Sequence, residues 1–285
     1  MEKIKIFIAY HRPFRVVSSE IFFPILLGSA VKNQCSKDGI LCDKEYNEFS
    51  KSILKDDTGV NISERNREYA ELTGLYWIWK NYQFYNLYRI GYMSYRRLFI
   101  FNDLNMKFKE DRNNIAYHGY RVSRREKKIV DKFGLEYNMI LNRINNFDLV
   151  LPYLVDLLEF NITSCWYDYL EKIPGLHIDD LCTLQSVMYN LDRKIGIKFD
   201  KYLSGNTKLL YQCFICTPNI FNSYCEFLFR LLSIVDRQID TSRYTINGRR
   251  TLAYLGELLY GFYFTDLIVS SDISYTYLPL TFLEG

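Results

Sequence analysis

Three stretches gather side chains able to handle a charged ligand. The first holds Asn61, Glu64, Arg65, Asn66, Arg67 and Glu71 at the start of an amphipathic pattern. A helix N-terminus presents free N–H groups and the positive end of its dipole, so a phosphate is favoured there; a solvated helix start with ordinary ion pairs fits the same residues equally well. The second is Tyr95-Arg96-Arg97 after an apolar run. Adjacent guanidinium forks match the oxygens of a diphosphate, although arginine pairs also occur on plain surfaces. The third is Leu176-His177-Ile178-Asp179-Asp180-Leu181. Carboxylates at the mouth of a helix either cap it or take a proton from an attacking hydroxyl group.

These groups need elements to position them. KIKIFIAY, residues 3 to 10, reads as a buried first strand whose carboxyl end delivers Tyr10 and His11. Ligands of open α/β sheets sit beyond strand carboxyl ends, so this pair is a candidate contact for a nucleotide base, against a plain strand-to-loop exit. The apolar run around Pro24, within Ser18 to Val31, is a short strand or an irregular segment, and 32 to 60 reads as a polar surface loop. Tyr69, Leu72, Thr73, Tyr76 and Trp77 follow helical spacing, predicting a helix from Asn66 to Lys80 capped by Ser63 or Asn66. Strands are expected over 90–99, Phe147 to Pro152 and Leu209 to Cys216. Helices are expected over Ile162–Lys172, from Leu176 to about Asp192, over Asn219–Val235 and over Arg249–Tyr263, the last with a buried Arg250–Glu257 ion pair. With no internal repeat or linker, this is a single α/β domain with a mostly parallel sheet.

Composition excludes several classes. Lys+Arg of 36 against Asp+Glu of 33 gives a net charge of only +3, which does not suit a nucleic-acid binder. Seven cysteines outline no disulfide framework, and Cys213-Phe-Ile-Cys216 has no second pair to complete a zinc site. The opening MEKIKIFIAYHR is too short an apolar run for a signal peptide, and no stretch is expected to reach the ~20 apolar residues that span a bilayer. The chain reads as cytoplasmic. The basic run Arg121, Arg124, Arg125, Lys127 and Lys128 is a solvated helix face, or else a peripheral contact with anionic lipid at the inner face of the membrane. Dinucleotide and phosphate-loop glycine motifs and a nucleophile elbow are absent, and His11, His118 and His177 are too scattered for a triad. No D-x-D triplet occurs; Asp103 is the one acidic residue placed to hold Mn²⁺ or Mg²⁺ near a diphosphate, so metal dependence stays open.

Asn61-Ile62-Ser63, Asn66, Glu71 to Asn81 (ELTGLYWIWKN) and Gly91 to Phe99 (GYMSYRRLF) resemble a bacterial capsular and exopolysaccharide biosynthesis family, catalogued as domain of unknown function 4422 and regarded as glycosyltransferases. The opening KIF..YH, the H..DL pattern on His177, Asp180 and Leu181, the apolar segment ending at Cys216, without the family's asparagine, and the R...GY..ER.L pattern near Arg250, with Leu258 in the place of its arginine, extend the resemblance. Ser94 stands where the family has histidine. The resemblance implies a GT-A-like nucleotide-sugar transferase fold with helices on both faces of the sheet. It also implies transfer of a hexose, such as galactose in pyranose or furanose form, from a UDP-sugar to a lipid-linked oligosaccharide intermediate. Tyr10 and His11 would then hold the base, while Asn61, Glu71, Arg96 and Arg97 hold diphosphate and sugar. Asp180, with Asp179 second and His177 beside them, would activate the acceptor hydroxyl; inversion follows if Asp180 is the base, and a retaining route is the alternative. The competing class is a non-catalytic relative serving polysaccharide assembly or regulation, supported by Ser94 and the missing triplet.

Overall fold

The computed structural model describes residues 3–35, 39–40, 44–82, 86–103, 119–123, 128–160 and 177–284. The helix expected over 162–172, His118 and the basic residues Arg124, Arg125 and Lys127 lie outside them. In chain order the strands are β1 (Lys3–Tyr10), β2 (Phe22–Leu26), β3 (Leu54–Lys55), β4 (Leu87–Ser94), β5 (Tyr120–Val122), β6 (Leu149–Pro152), β7 (Val155–Asp156), β8 (Thr207–Lys208), β9 (Phe214–Cys216), β10 (Tyr275–Leu278) and β11 (Thr281–Leu283). Seven of them form one sheet in the order β10-β6-β9-β4-β1-β2-β3, while β5 pairs with β11 and β7 with β8. In the large sheet β9 alone runs against its neighbours.

Helices cover both faces, which is why β1 is apolar almost throughout. Ile4, Ile6, Ile8 and Tyr10 of β1 pack with Tyr46 of α1 (Lys44–Ser50), Phe133 of α4 (Ile129–Phe133) and Ile140 of α5 (Tyr137–Ile144). Phe7 and Ala9 point the other way, into a core shared by α3 (Leu72–Asn81), α6 (Ile178–Leu191), α7 (Arg193–Leu203), α8 (Pro218–Asp236) and α9 (Thr251–Ser270). The expected α/β architecture, mostly parallel with helices on both faces, is the one observed.

Several local expectations are corrected. The helix predicted from Asn66 to Lys80 is broken at Ala70, whose φ of 43° is a conformation that side chains rarely adopt. It becomes α2 (Asn66–Tyr69) and α3. Neither Ser63 nor Asn66 caps a helix. Asn66 Nδ2 instead staples the break, donating to the Ala70 carbonyl at 2.8 Å and to Thr73 Oγ1 at 2.9 Å. The strand expected over 209–216 shortens to β9, because Tyr211 and Gln212 take φ values of 77° and 43°. The 32–60 stretch, read as a surface loop, contains α1, β3 and the buried Asp56. Among the described residues one segment, Gly248–Ser270, is long and apolar enough to cross a bilayer, contrary to the sequence reading. More than half of it is buried inside the protein, and a helix enclosed by core on most sides is apolar for that reason alone.

Asp56 ties these pieces together. Its carboxylate, with no exposed surface, accepts from Gly28 N–H at 2.8 Å, Ser29 N–H at 3.1 Å, Ser63 Oγ at 2.6 Å and Thr73 Oγ1 at 2.6 Å. Burial pushes its carboxyl pKa up, and the four donors oppose that rise. Replacing Asp56 by alanine strands these donors in the interior, so Asp56→Ala should lower stability by roughly 3 kcal/mol or more. Urea unfolding checks this: the midpoint should fall, and an unchanged midpoint would make the carboxylate dispensable.

Candidate functional site

A cavity of about 290 Å³ opens where the parallel strands end. Ala9 and His11 reach it from the end of β1, Leu27 and Gly28 from β2, and Ser94 to Arg97 from β4. Since β9 is reversed, its lead-in residues Tyr211 and Gln212 arrive at the same rim. The segment from Asn66 to Glu71 forms another wall, and Arg250 and Phe282 also line the cavity. This is the crevice beyond strand carboxyl ends where open α/β sheets bind ligands. Gly28 is required there: its φ is 64°, and a Cβ would lie 2.5 Å from Asn66 Oδ1.

The lining is strongly cationic. Lys32, Arg67, Arg96, Arg97 and Arg250 face it, against the one carboxylate of Glu71. Tyr95 fixes Arg96, its hydroxyl accepting from Arg96 Nε at 2.9 Å and from Arg12 Nε at 3.2 Å, while His11 sets its ring edgewise against Tyr95 at 5.2 Å. The Arg97 guanidinium lies 3.5 Å from the centre of the Tyr211 ring, and burial lowers its pKa. Arg250 pairs with Glu71 at 3.6 Å, not with Glu257 as expected. Glu257 Oε1 accepts the Tyr211 N–H at 2.7 Å, and loss of solvent, reinforced by the charge of Glu71, pushes its carboxyl pKa up.

Of the residues expected to bind a donor, the cavity brings together His11, Glu71, Arg96 and Arg97. Tyr10 and Asn61 do not line it. Tyr10 is wholly buried; its hydroxyl donates to the Arg15 carbonyl and accepts from Val17 N–H, both at 3.1 Å, and its ring stacks on Tyr95. Asn61 shapes the turn before Ser63, its side chain accepting from Ser63 N–H at 3.1 Å and donating to the Gly59 carbonyl at 3.0 Å. Both act behind the wall.

The expected proton acceptors are also placed elsewhere. Asp180 is 2% exposed and its two oxygens are occupied, accepting from Tyr244 at 3.0 Å and from Thr251 at 2.6 Å. His177 stacks on Tyr244 with ring centres 3.8 Å apart, and Asp179 is exposed. None of the three lines the cavity. Asp180 and His177 anchor the 244–251 segment, which in turn carries Ile246 and Arg250 to it. Asp103, expected near a metal, is at the surface and paired with Arg143 at 3.1 Å. Among the described residues no group of three or more His, Cys, Asp or Glu converges, and Glu71 alone does not supply the oxygen ligands that Mg²⁺ or Mn²⁺ takes from a protein. The described residues therefore do not fit a resident divalent ion. Sequence reasoning missed Lys32 and Gln212, which sit in no recognisable pattern; Arg67 belongs to the charged cluster read as a phosphate site, and Arg250 is read from sequence only as an ion-pair partner of Glu257.

Comparison with known proteins adds family and fold. The profile described as a domain of unknown function, DUF4422, matches residues 5–267. Among solved structures, the apo form of WbbM, a bifunctional glycosyltransferase, is similar with a TM-score of 0.83 and 25% identity over 100% of this chain. The match spans 46% of the WbbM chain. No protein of curated function matches.

The anchoring role of Asp180 is directly testable. Asp180→Ala removes the acceptor for two hydroxyls and should cost about 2–4 kcal/mol of stability, read as a lower thermal midpoint. A variant as stable as the parent would contradict the anchoring role.

Proposed function

The chain belongs to the DUF4422 family, and from that premise we propose that it is a glycosyltransferase moving a hexose, galactose in pyranose or furanose form, from a UDP-sugar. The acceptor is a lipid-linked oligosaccharide of capsular or exopolysaccharide synthesis. The observation that carries this reading is the excess of cations beyond the ends of β1, β2 and β4, in a fold shared with a glycosyltransferase. In this reading Arg96, Arg97 and Arg250 hold the diphosphate, and His11, just beyond the end of β1, contacts the nucleotide.

In the transfer, an acceptor hydroxyl oxygen bonds to the anomeric carbon as the bond from that carbon to the diphosphate oxygen breaks. The electron pair leaves with UDP, where the guanidinium groups neutralise the growing charge. The hydroxyl proton passes to a base. With Asp180 enclosed in the protein, the Brønsted bases in the lining are Glu71 and His11. We assign the acceptor role to Glu71, whose backbone carbonyl is fixed by the Tyr92 hydroxyl at 2.6 Å. The enzyme works in the cytoplasm, at the inner membrane face where lipid-linked acceptors are found. Of the basic run proposed to touch lipid, Arg121 is already paired with Glu284 at 2.9 Å, so that contact depends on the remaining basic residues.

Titration calorimetry with UDP, with and without Mn²⁺, tests the assignment. Arg96→Ala should weaken UDP binding by about 10- to 100-fold through loss of charge-assisted hydrogen bonds. Equal affinities in parent and variant would remove Arg96 from the diphosphate site.

A further inference from the structure

Gln212 is a buried polar side chain without a protein partner. It is 3% exposed, it lines the cavity, and neither its amide nitrogen nor its amide oxygen has a hydrogen-bond partner. Interior amides are almost always paired, because leaving both ends unsatisfied forfeits the hydrogen bonds they made in water. The backbone beneath it is also unusual. Tyr211 and Gln212 both have positive φ, at 77° and 43°. Such strain persists only where the surroundings impose it, and it clusters at ligand clamps. Here they do impose it: Glu257 takes the Tyr211 N–H at 2.7 Å, Arg97 covers the Tyr211 ring, and the Tyr260 hydroxyl holds the Cys213 carbonyl at 2.8 Å. The turn is clamped on both sides while the side chain at its tip stays unpaired.

A carboxamide presents one donor and one acceptor side by side and does not ionise in the working range. That makes it a poor proton carrier, and beside a diphosphate only its nitrogen could be used, leaving its oxygen unpaired. It suits neighbouring hydroxyl groups, each of which can both donate and accept. We infer that Gln212 reads hydroxyls on the sugar ring of the nucleotide-sugar donor and so determines which donor is used. This deepens the reading proposed above and rests on it. The position supports the donor sugar over the ribose, because Gln212 leads into β9, which β4 separates from β1 and β2 in the sheet, and His11 at the β1 end is the proposed nucleotide contact.

The test compares parent, Gln212→Met and Gln212→Asn by calorimetry with UDP, UDP-glucose, UDP-galactopyranose and UDP-galactofuranose. Methionine keeps the volume and removes the amide; asparagine keeps the amide and shortens its reach. For Gln212→Met, UDP affinity should stay within about twofold, and the extra affinity that the sugar adds to the best donor should fall by about 10- to 100-fold. Gln212→Asn should fall between the two, or change which sugar is preferred. The thermal midpoint of unliganded Gln212→Met should rise by about 2–4 °C, because a buried unpaired amide is gone. Equal losses for UDP and UDP-sugars, an unchanged sugar increment, or a lower midpoint would each overturn the inference. If the parent binds neither UDP nor any of these donors, the nucleotide-sugar reading fails and this inference fails with it.

Discussion

The four donors gathered on Asp56 hold together parts of the chain that would otherwise have no reason to meet. Gly28 and Ser29 follow β2, Ser63 precedes the broken helix, and Thr73 lies just beyond the break. A lone carboxylate in the interior is costly unless donors surround it, so the arrangement is close to all-or-none. Once formed, it fixes the loop after β2 against the segment from Asn66 to Glu71, and these are two walls of the cavity. Trp77 adds a second tie to the same turn, donating to the Thr58 carbonyl at 2.8 Å. The polar residues of this region thus serve mainly to build the wall, and a smaller set faces the ligand.

Three further features converge on the cavity with the same logic. Tyr95 aims Arg96, Tyr211 lies against Arg97, and Glu71 meets Arg250. Arg97 and Arg250 are steered by neighbours from distant parts of the chain and Arg96 by the residue before it, which keeps like charges apart until a polyanion is present to draw them together. The acidic partners stay close enough to limit the repulsion, as the influence of Arg97 and Arg250 on Glu257 indicates.

Much of this was legible in the sequence where periodicity or charge decided the outcome. The apolar run of β1, the strand leading into Tyr95-Arg96-Arg97, and the long helices over Pro218–Asp236 and Thr251–Ser270 follow from packing patterns. His11, Glu71, Arg96 and Arg97 reached the cavity because strand ends and an anion-seeking charge cluster are local signals. What failed was long-range. Asp180 looks the same in sequence whether it faces solvent or Tyr244 and Thr251, which lie 64 and 71 residues away. Ser63 resembled a cap because serine before a helix usually is one, yet a carboxylate seven residues upstream competes for its hydroxyl. The break at Ala70 left no mark, since alanine is the strongest helix former and only tertiary contacts force it out of the helix.

The reversal of β9 has a consequence for assembly. Its three residues zip between β4 and β6, joining strands that leave the ribosome far earlier to the final third of the chain. Contacts of such sequence separation close last, because the entropy of the intervening loop is lost before the pairing offsets it. During synthesis, therefore, the strands that carry His11 and Arg96 emerge well before the turn that completes their far wall. A nascent polypeptide halted before residue 214 would hold Gln212 in its sequence but lack β9, which pins that turn between β4 and β6, and would still be missing Arg250 and Phe282 from the lining.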